Sequence, residues 1–189
     1  MTVATVEEQK RSRPEKSYTA DFNHADSAAL HIDMQAIGVV HSSYHERFAT
    51  PRQPTLDKRK PAQIHLNAGM NFEQALRDLE SFSHIWVIYW MHMNKGWNPT
   101  VVPPRQPKIR RGLFATRAPH RPNSIGLSAV RLVSIEGRTL HIEGHDMLDG
   151  TPVLDIKPYL PYADAIADAS SGWLDDTGMA SHPSHQPQR

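Results

Sequence analysis

Residues 126–148 read GLSAVRLVSIEGRTLHIEGHDML, and the class of the fold is decided here. Two runs rich in β-favouring residues flank Glu136-Gly137-Arg138, a stretch suited to a tight turn. In the second run Leu140 and Ile142 alternate with His141 and Glu143. A period of two puts one set of side chains on a core and the other toward water. The stretch therefore reads as a hairpin. On either side lie further short runs of the same kind: QAIGVVHS at 35–42, IHLN at 64–67, HIWVIYWMHM at 84–93 and PVLDIKPY at 152–159. The run at 84–93 is apolar at both parities, which predicts a strand buried on both faces.

One segment departs from this pattern. In NFEQALRDLE, 71–80, Asn71 stands at the N-cap and Gln74 at the capping-box position. Phe72, Ala75, Leu76 and Leu79 share one helical face, so this is the principal helix. Many short strands, one helix and fifteen prolines point to a mostly β chain, folded as a barrel or a rolled sheet with irregular loops.

With 189 residues the chain is long enough for one unstapled core. Its ends are polar and aperiodic. Residues 1–32 are expected to form an arm, 33–165 the folded domain, and 166–189 a tail. No apolar run approaches the roughly 20 residues of a membrane-spanning helix, and the start lacks the apolar core of a secretory signal. A cytoplasmic location is the expectation that remains. The absence of cysteine excludes disulfides, zinc–thiolate sites and thiol nucleophiles. No two glycines are spaced as GxG, which excludes the dinucleotide loop of the Rossmann fold. Among twelve histidines, His41/His45 and His141/His145 are four apart, a spacing that suits a helix, yet both pairs fall in strand or loop. No metal site is expected.

The formal charge is only +1, so polyanion binding requires a local patch. One exists. Arg105, Lys108, Arg110, Arg111, Arg117 and Arg121 fall within 105–121 without a single acidic residue. Arginine suits carboxylate and phosphate because its planar fork donates two parallel bonds.

The same region, GLFATRAPHRPNSIGLSAVRL at 112–132, closely resembles the hallmark stretch of the TrmO/YaeB-like family, also called the TsaA-like domain. Three further blocks resemble that family in its order: IGVVHSSYHERFATPRQP at 37–54, LESFSHIWVIYWMH at 79–92 and DMLDGTPVLDIKPYLPYAD at 146–164. Ser124 departs from the pattern, since proline is frequent there. The resemblance implies a compact, mostly antiparallel β-barrel, commonly a homodimer. It implies S-adenosylmethionine as cofactor and, as activity, methylation of the threonylcarbamoyl-adenosine nitrogen beside the tRNA anticodon. The cofactor positions it carries over are Pro51, Arg52 and Gln53; His92 and Met93; Arg117; Leu127; and Asp146, Met147, Leu148 and Asp149. Candidates for substrate contact are Lys108, Arg110, Arg111, Arg121, Asn123, Lys157 and Tyr159. Bacterial members commonly continue into a second, tRNA-linked domain. Two alternatives therefore stay open beside a tRNA methyltransferase: a small-molecule methyltransferase of the same fold, and a non-catalytic barrel that binds cofactor or RNA.

Overall fold

The computed structural model describes residues 31–46, 49–54, 60–104 and 108–177. The chain divides into two compact units, Met1–Asp33 and Met34–Arg189, and every element named here belongs to the second. Residues 1–30 of the expected arm, the last twelve residues of the expected tail and Arg105 lie outside the described residues.

Six strands close into an antiparallel barrel. They are β1 (Gly38–Ser42), β2 (Pro61–Leu66), β3 (His84–Trp90), β6 (Ile125–Glu136), β7 (Thr139–Glu143) and β8 (Pro152–Pro158). The order around the barrel is β1-β2-β7-β6-β3-β8. The hairpin expected at 126–148 is the β6–β7 pair, with Leu140 opposite Ile135 and Ile142 opposite Leu132. Leu140 and Ile142 are buried, as the alternation predicted; opposite them Leu132 is buried and Ile135 packs half-buried against the core. Two further strands, β4 (Thr100–Val101) and β5 (Arg111–Gly112), pair with each other as a two-stranded sheet outside the barrel. Among the described residues no helix is long and apolar enough to cross a membrane.

Two expectations need correction. The helix at 71–80 is short: α1 spans Phe72–Ala75 only, and a 3-10 turn follows at Leu79–Ser81. Asn71 makes no side-chain cap bond; it adopts φ 56°, and its amide donates to the Gln74 side chain at 3.2 Å. Asp78, at φ 67°, breaks the path again. The breaks follow from packing. Leu76 is buried, and Phe72 and Leu79 rest against the barrel core, so the segment bends to seat all three apolar side chains. An ion pair between Glu73 and Arg138, 3.0 Å, holds it at the β6–β7 turn.

Nor is β3 buried on both faces, the arrangement that its apolar residues at both parities predicted. Ile85, Val87 and Tyr89 point inward and are buried, while His84, Trp86, Ile88 and Trp90 are only half-buried. Part of that outer face is covered from the C-terminal side. Trp86 donates to Asp164 at 3.0 Å and lies 5.4 Å from the Tyr159 ring, next to the short helix α2 (Pro161–Asp164). The apolar outward residues thus meet a returning segment rather than a second layer.

Candidate functional site

The antiparallel register fixes which connections share an end. Ser42 lies opposite Ala62, Pro61 opposite Glu143, Trp90 opposite Ile125, and Val39 opposite Pro152. The connections 43–60, 91–124 and 144–151 therefore leave from one end of the barrel. Every expected cofactor position is on one of these connections except Leu127, which lies close to the same end of β6. The opposite end holds the β6–β7 turn and α1.

At the shared end a carboxylate is held inside the barrel mouth. Asp146 accepts from the Ser128 hydroxyl at 2.5 Å and, more weakly, from the Tyr89 hydroxyl at 3.5 Å. Burial pushes its carboxyl above the ordinary carboxylate value; the Ser128 and Tyr89 hydrogen bonds and the Arg117 charge pull the other way. Tyr89 is pushed up to about 12, by burial first and then by the Asp146 charge, so it stays a neutral donor. Gly126 makes this possible. It faces Tyr89 across β3 and β6, and a Cβ there would meet the Tyr89 ring at 2.3 Å. A glycine inside a strand is the mark of such a close approach.

Arg117 stands near this carboxylate and donates to Gln53 Oε1 at 2.7 Å, which joins the 43–60 and 91–124 connections. Gln53 in turn donates to the Arg52 carbonyl at 2.6 Å, and Arg52 reaches the Pro104 carbonyl at 3.4 Å. The loop around Arg117 is internally braced. Thr116 donates its hydroxyl to Leu113 O at 2.8 Å and accepts from the Ala118 amide at 3.3 Å. Arg121 donates to Thr116 O at 3.0 Å and lies 5.5 Å from the Phe114 ring centre.

Asp149 plays a different part. It accepts from the Ser42 amide at 3.0 Å, lies 3.8 Å from His41 and 3.6 Å from His45, and its own amide donates to Tyr44 O. Its carboxylate thus ties the 144–151 connection to the end of β1. Met147 is wholly buried in the core; its carbonyl accepts from Ser42 and its amide donates to His145 Nδ1 at 3.3 Å. It anchors the run and offers no side chain to a ligand. Leu148 is half-buried. Pro51 is half-buried, and His92 and Met93 are exposed on the turn after β3. Leu127 is 56% exposed on the outer wall of β6, because Gly126 and Ser128 on either side of it face inward.

The substrate candidates do not all assemble. Lys157 pairs with Trp86, and the Tyr159 amide donates to His84 O, which puts both near the opposite end of the barrel. Lys157 is in addition paired with Asp155 at 2.8 Å. Arg121 serves the loop as a brace. Arg111 lies 5.0 Å from the Trp173 ring centre, and Arg110 donates to Thr100 at 3.2 Å. Lys108 and Asn123 are exposed. At Ser124 only the carbonyl is used, accepting from the Met91 amide at 2.8 Å, a bond that proline would preserve. Of the histidines, His145 is buried beside Tyr44, and burial lowers its pKa, so it sits neutral in the core. The sequence reading missed Tyr89, Ser128, Phe114 and Trp173. Only Tyr89 left a signal, in the glycine opposite it.

The pH dependence of this end follows from Asp146. Its raised folded value means that the stability it contributes is present below the ordinary carboxylate range and lost as pH rises through the raised value. Asp146→Asn is expected to remove that component, seen as a difference between wild-type and variant melting curves across the window. Identical pH profiles for the two proteins would show that Asp146 carries no such load.

Comparison with known proteins adds to this geometry. Residues 39–165 match the family model of the tRNA-methyltransferase O N-terminal domain. The chain is 47% identical over 156 residues to the Escherichia coli tRNA (adenine(37)-N6)-methyltransferase, covering 79% of this chain and 66% of that protein. It is 42% identical to a probable S-adenosyl-L-methionine-binding protein of Pyrococcus abyssi, covering 77% of this chain and 78% of the relative. A crystal structure of TrmO from Pseudomonas aeruginosa superposes with a TM-score of 0.64 at 44% identity, over 76% of this chain and 63% of that one.

Proposed function

Since this chain belongs to the family of the tRNA-methyltransferase O N-terminal domain, we propose that it is an S-adenosylmethionine-dependent methyltransferase whose substrate is tRNA. The acceptor in this reading is the threonylcarbamoyl-adenosine nitrogen beside the anticodon. The observation that carries it is that Arg117 and Gln53, bonded to each other, share one end of the barrel with the Asp146 carboxylate, on which the Arg117 charge acts, each from a separate connection. The donor set suits the cofactor. A half-desolvated carboxylate that already accepts from Ser128 favours a cationic partner, and S-adenosylmethionine carries an ammonium and a sulfonium. A guanidinium with most of its five N–H groups still free favours a carboxylate, which the cofactor also carries.

When bound, S-adenosylmethionine supplies a methyl group already activated by its sulfonium. The protein's residues then have to bind, orient and keep out water. Arg117 holds a carboxylate, with Gln53 fixing the plane of its guanidinium. Asp146, kept in place by Ser128 and Tyr89, faces positive charge. Alignment of acceptor, methyl and leaving group is what such a site chiefly contributes. The exposed Leu127 pairs with Ile88 on the outer wall, an apolar patch that supports a homodimer.

Labelled S-adenosylmethionine incubated with bulk tRNA tests this reading. Label in tRNA is the expected result. Label only in small molecules would move the assignment to a small-molecule methyltransferase. Binding without transfer would leave a non-catalytic barrel.

A further inference from the structure

The residues after the family-matched domain are not idle. A 3-10 turn spans Gly172–Thr177, beyond residue 165, where the match ends. It is internally bonded: the Leu174 amide donates to Ser171 O at 3.2 Å, the Ser171 amide to Asp175 at 3.1 Å, and the Thr177 hydroxyl to Leu174 O at 2.6 Å. From this turn Trp173 reaches back 58 residues. Its indole N–H donates to the Ala115 carbonyl at 2.8 Å, and its ring receives the Arg111 guanidinium at 5.0 Å.

Those two contacts bracket one short element. Arg111 belongs to β5, and Ala115 closes the 3-10 turn Leu113–Ala115 that follows it. The last carbonyls of a helical turn have no partner within it and must find one outside. Trp173 supplies that partner for Ala115, while its ring fixes the other end through a cation–π contact. Arg117 is two residues further on. From Ala115 onward the path to it is held by Thr116, which bonds Leu113 and Ala118 and is itself held by Arg121. Displacing Ala115 therefore moves the backbone that aims Arg117 at Gln53.

We propose that the 172–177 turn is a strap on the Arg117 loop, and that Trp173 is a positioning residue for cofactor binding acting through Ala115 and Arg111. This rests on the assignment of Arg117 to the S-adenosylmethionine site. A positional error in a binding group costs affinity even when every contacting residue is intact. Trp173→Ala thus removes both contacts, and Trp173→Phe keeps a ring for Arg111 but removes the N–H.

The test compares wild type, Trp173→Ala and Trp173→Phe in the full chain, with calorimetry of S-adenosylmethionine binding and amide exchange. In Trp173→Ala the dissociation constant is expected to rise about tenfold, the scale of one lost bond to the loop. Trp173→Phe is expected to fall between the two. Exchange at Thr116 and Ala118 is expected to quicken in Trp173→Ala, while Ile64 and Leu140 in the barrel keep their protection and report that the variant is folded. A dissociation constant within twofold of wild type, or unchanged exchange at 116–118, would overturn the strap. So would a fall in melting temperature alone, with affinity per folded molecule unaltered. If the wild type itself binds no S-adenosylmethionine, the reading of the site fails instead, and the exchange comparison still decides whether the strap exists.

Discussion

Replacing Arg117 with alanine is expected to weaken S-adenosylmethionine binding by about 1.5–3 kcal/mol, the range for a hydrogen bond to a charged group. Arg117 is exposed in the free protein, where an ion pair has little value. Its worth arises when a ligand covers it and excludes water. Gln53 Oε1 takes one of its N–H groups at 2.7 Å and so orients the guanidinium without exhausting it. Gln53→Ala alone should cost less. In an Arg117→Ala background it should cost almost nothing, because its effect passes through Arg117; a double-mutant cycle by calorimetry measures this. Arg117→Lys should recover only part of the loss, since a point charge lacks the planar fork. If Arg117→Ala binds within twofold of wild type, the guanidinium has no place in the cofactor site.

The second large effect is expected in tRNA binding. If Lys108 and Arg110 meet phosphates, replacing both with alanine should flatten the dependence of log affinity on log salt by about 1.4, at roughly 0.7 per contact on single-stranded RNA. Arg111 is left intact in this variant because it also holds the Trp173 ring. Cofactor affinity should be nearly unchanged. A contrasting variant is Phe114→Ala. Phe114 is 76% exposed, with Arg121 beside its ring. A ring presented in this way among cations suits a nucleobase, and stacking contributes about 1–3 kcal/mol per base. Stacking releases no counterions, so Phe114→Ala should lower tRNA affinity while leaving the salt slope as in wild type. A filter-binding series across salt separates the two outcomes. An unaltered slope in the Lys108/Arg110 variant would remove this loop from the RNA surface.

Asp146 adds a pH signature to the same site. Its carboxylate must be ionised to face a cation, so S-adenosylmethionine affinity should fall as pH drops through its raised value. This is opposite in sign to its effect on the stability of the free protein. Calorimetry with Asp146→Asn should show weaker binding that no longer varies in that window.

Much of this molecule was legible in the order of its residues. The alternation of Leu140 and Ile142 with His141 and Glu143 needs no partner to be read, because a pleated strand turns every second side chain the same way. The local signals failed where tertiary packing outweighed them. Asn71 and Gln74 satisfied the helix-start pattern, yet the helix ends after one turn because Phe72, Leu76 and Leu79 reach the core only along a bent path. A capping bond contributes about 1 kcal/mol, less than the burial of a single leucine.

The site divides in the same way. Residue types that suit a cofactor, the arginine at 117 and the aspartate at 146, are visible in the chain as written. Their proximity is not, because it follows from a barrel closure that sends three distant connections out of one end. Closure also decided what the residues between them do. Met147 went to the core and Asp149 to the end of β1, although both lie in one short acidic run with Asp146. Lys157 and Tyr159 were carried to the opposite end, since β8 runs away from the mouth. Sequence therefore determined the strand pattern, the basic loop and the chemistry on offer. The tertiary structure alone decided which groups meet, because spatial neighbours separated by tens of residues leave no periodicity for a linear reading to find.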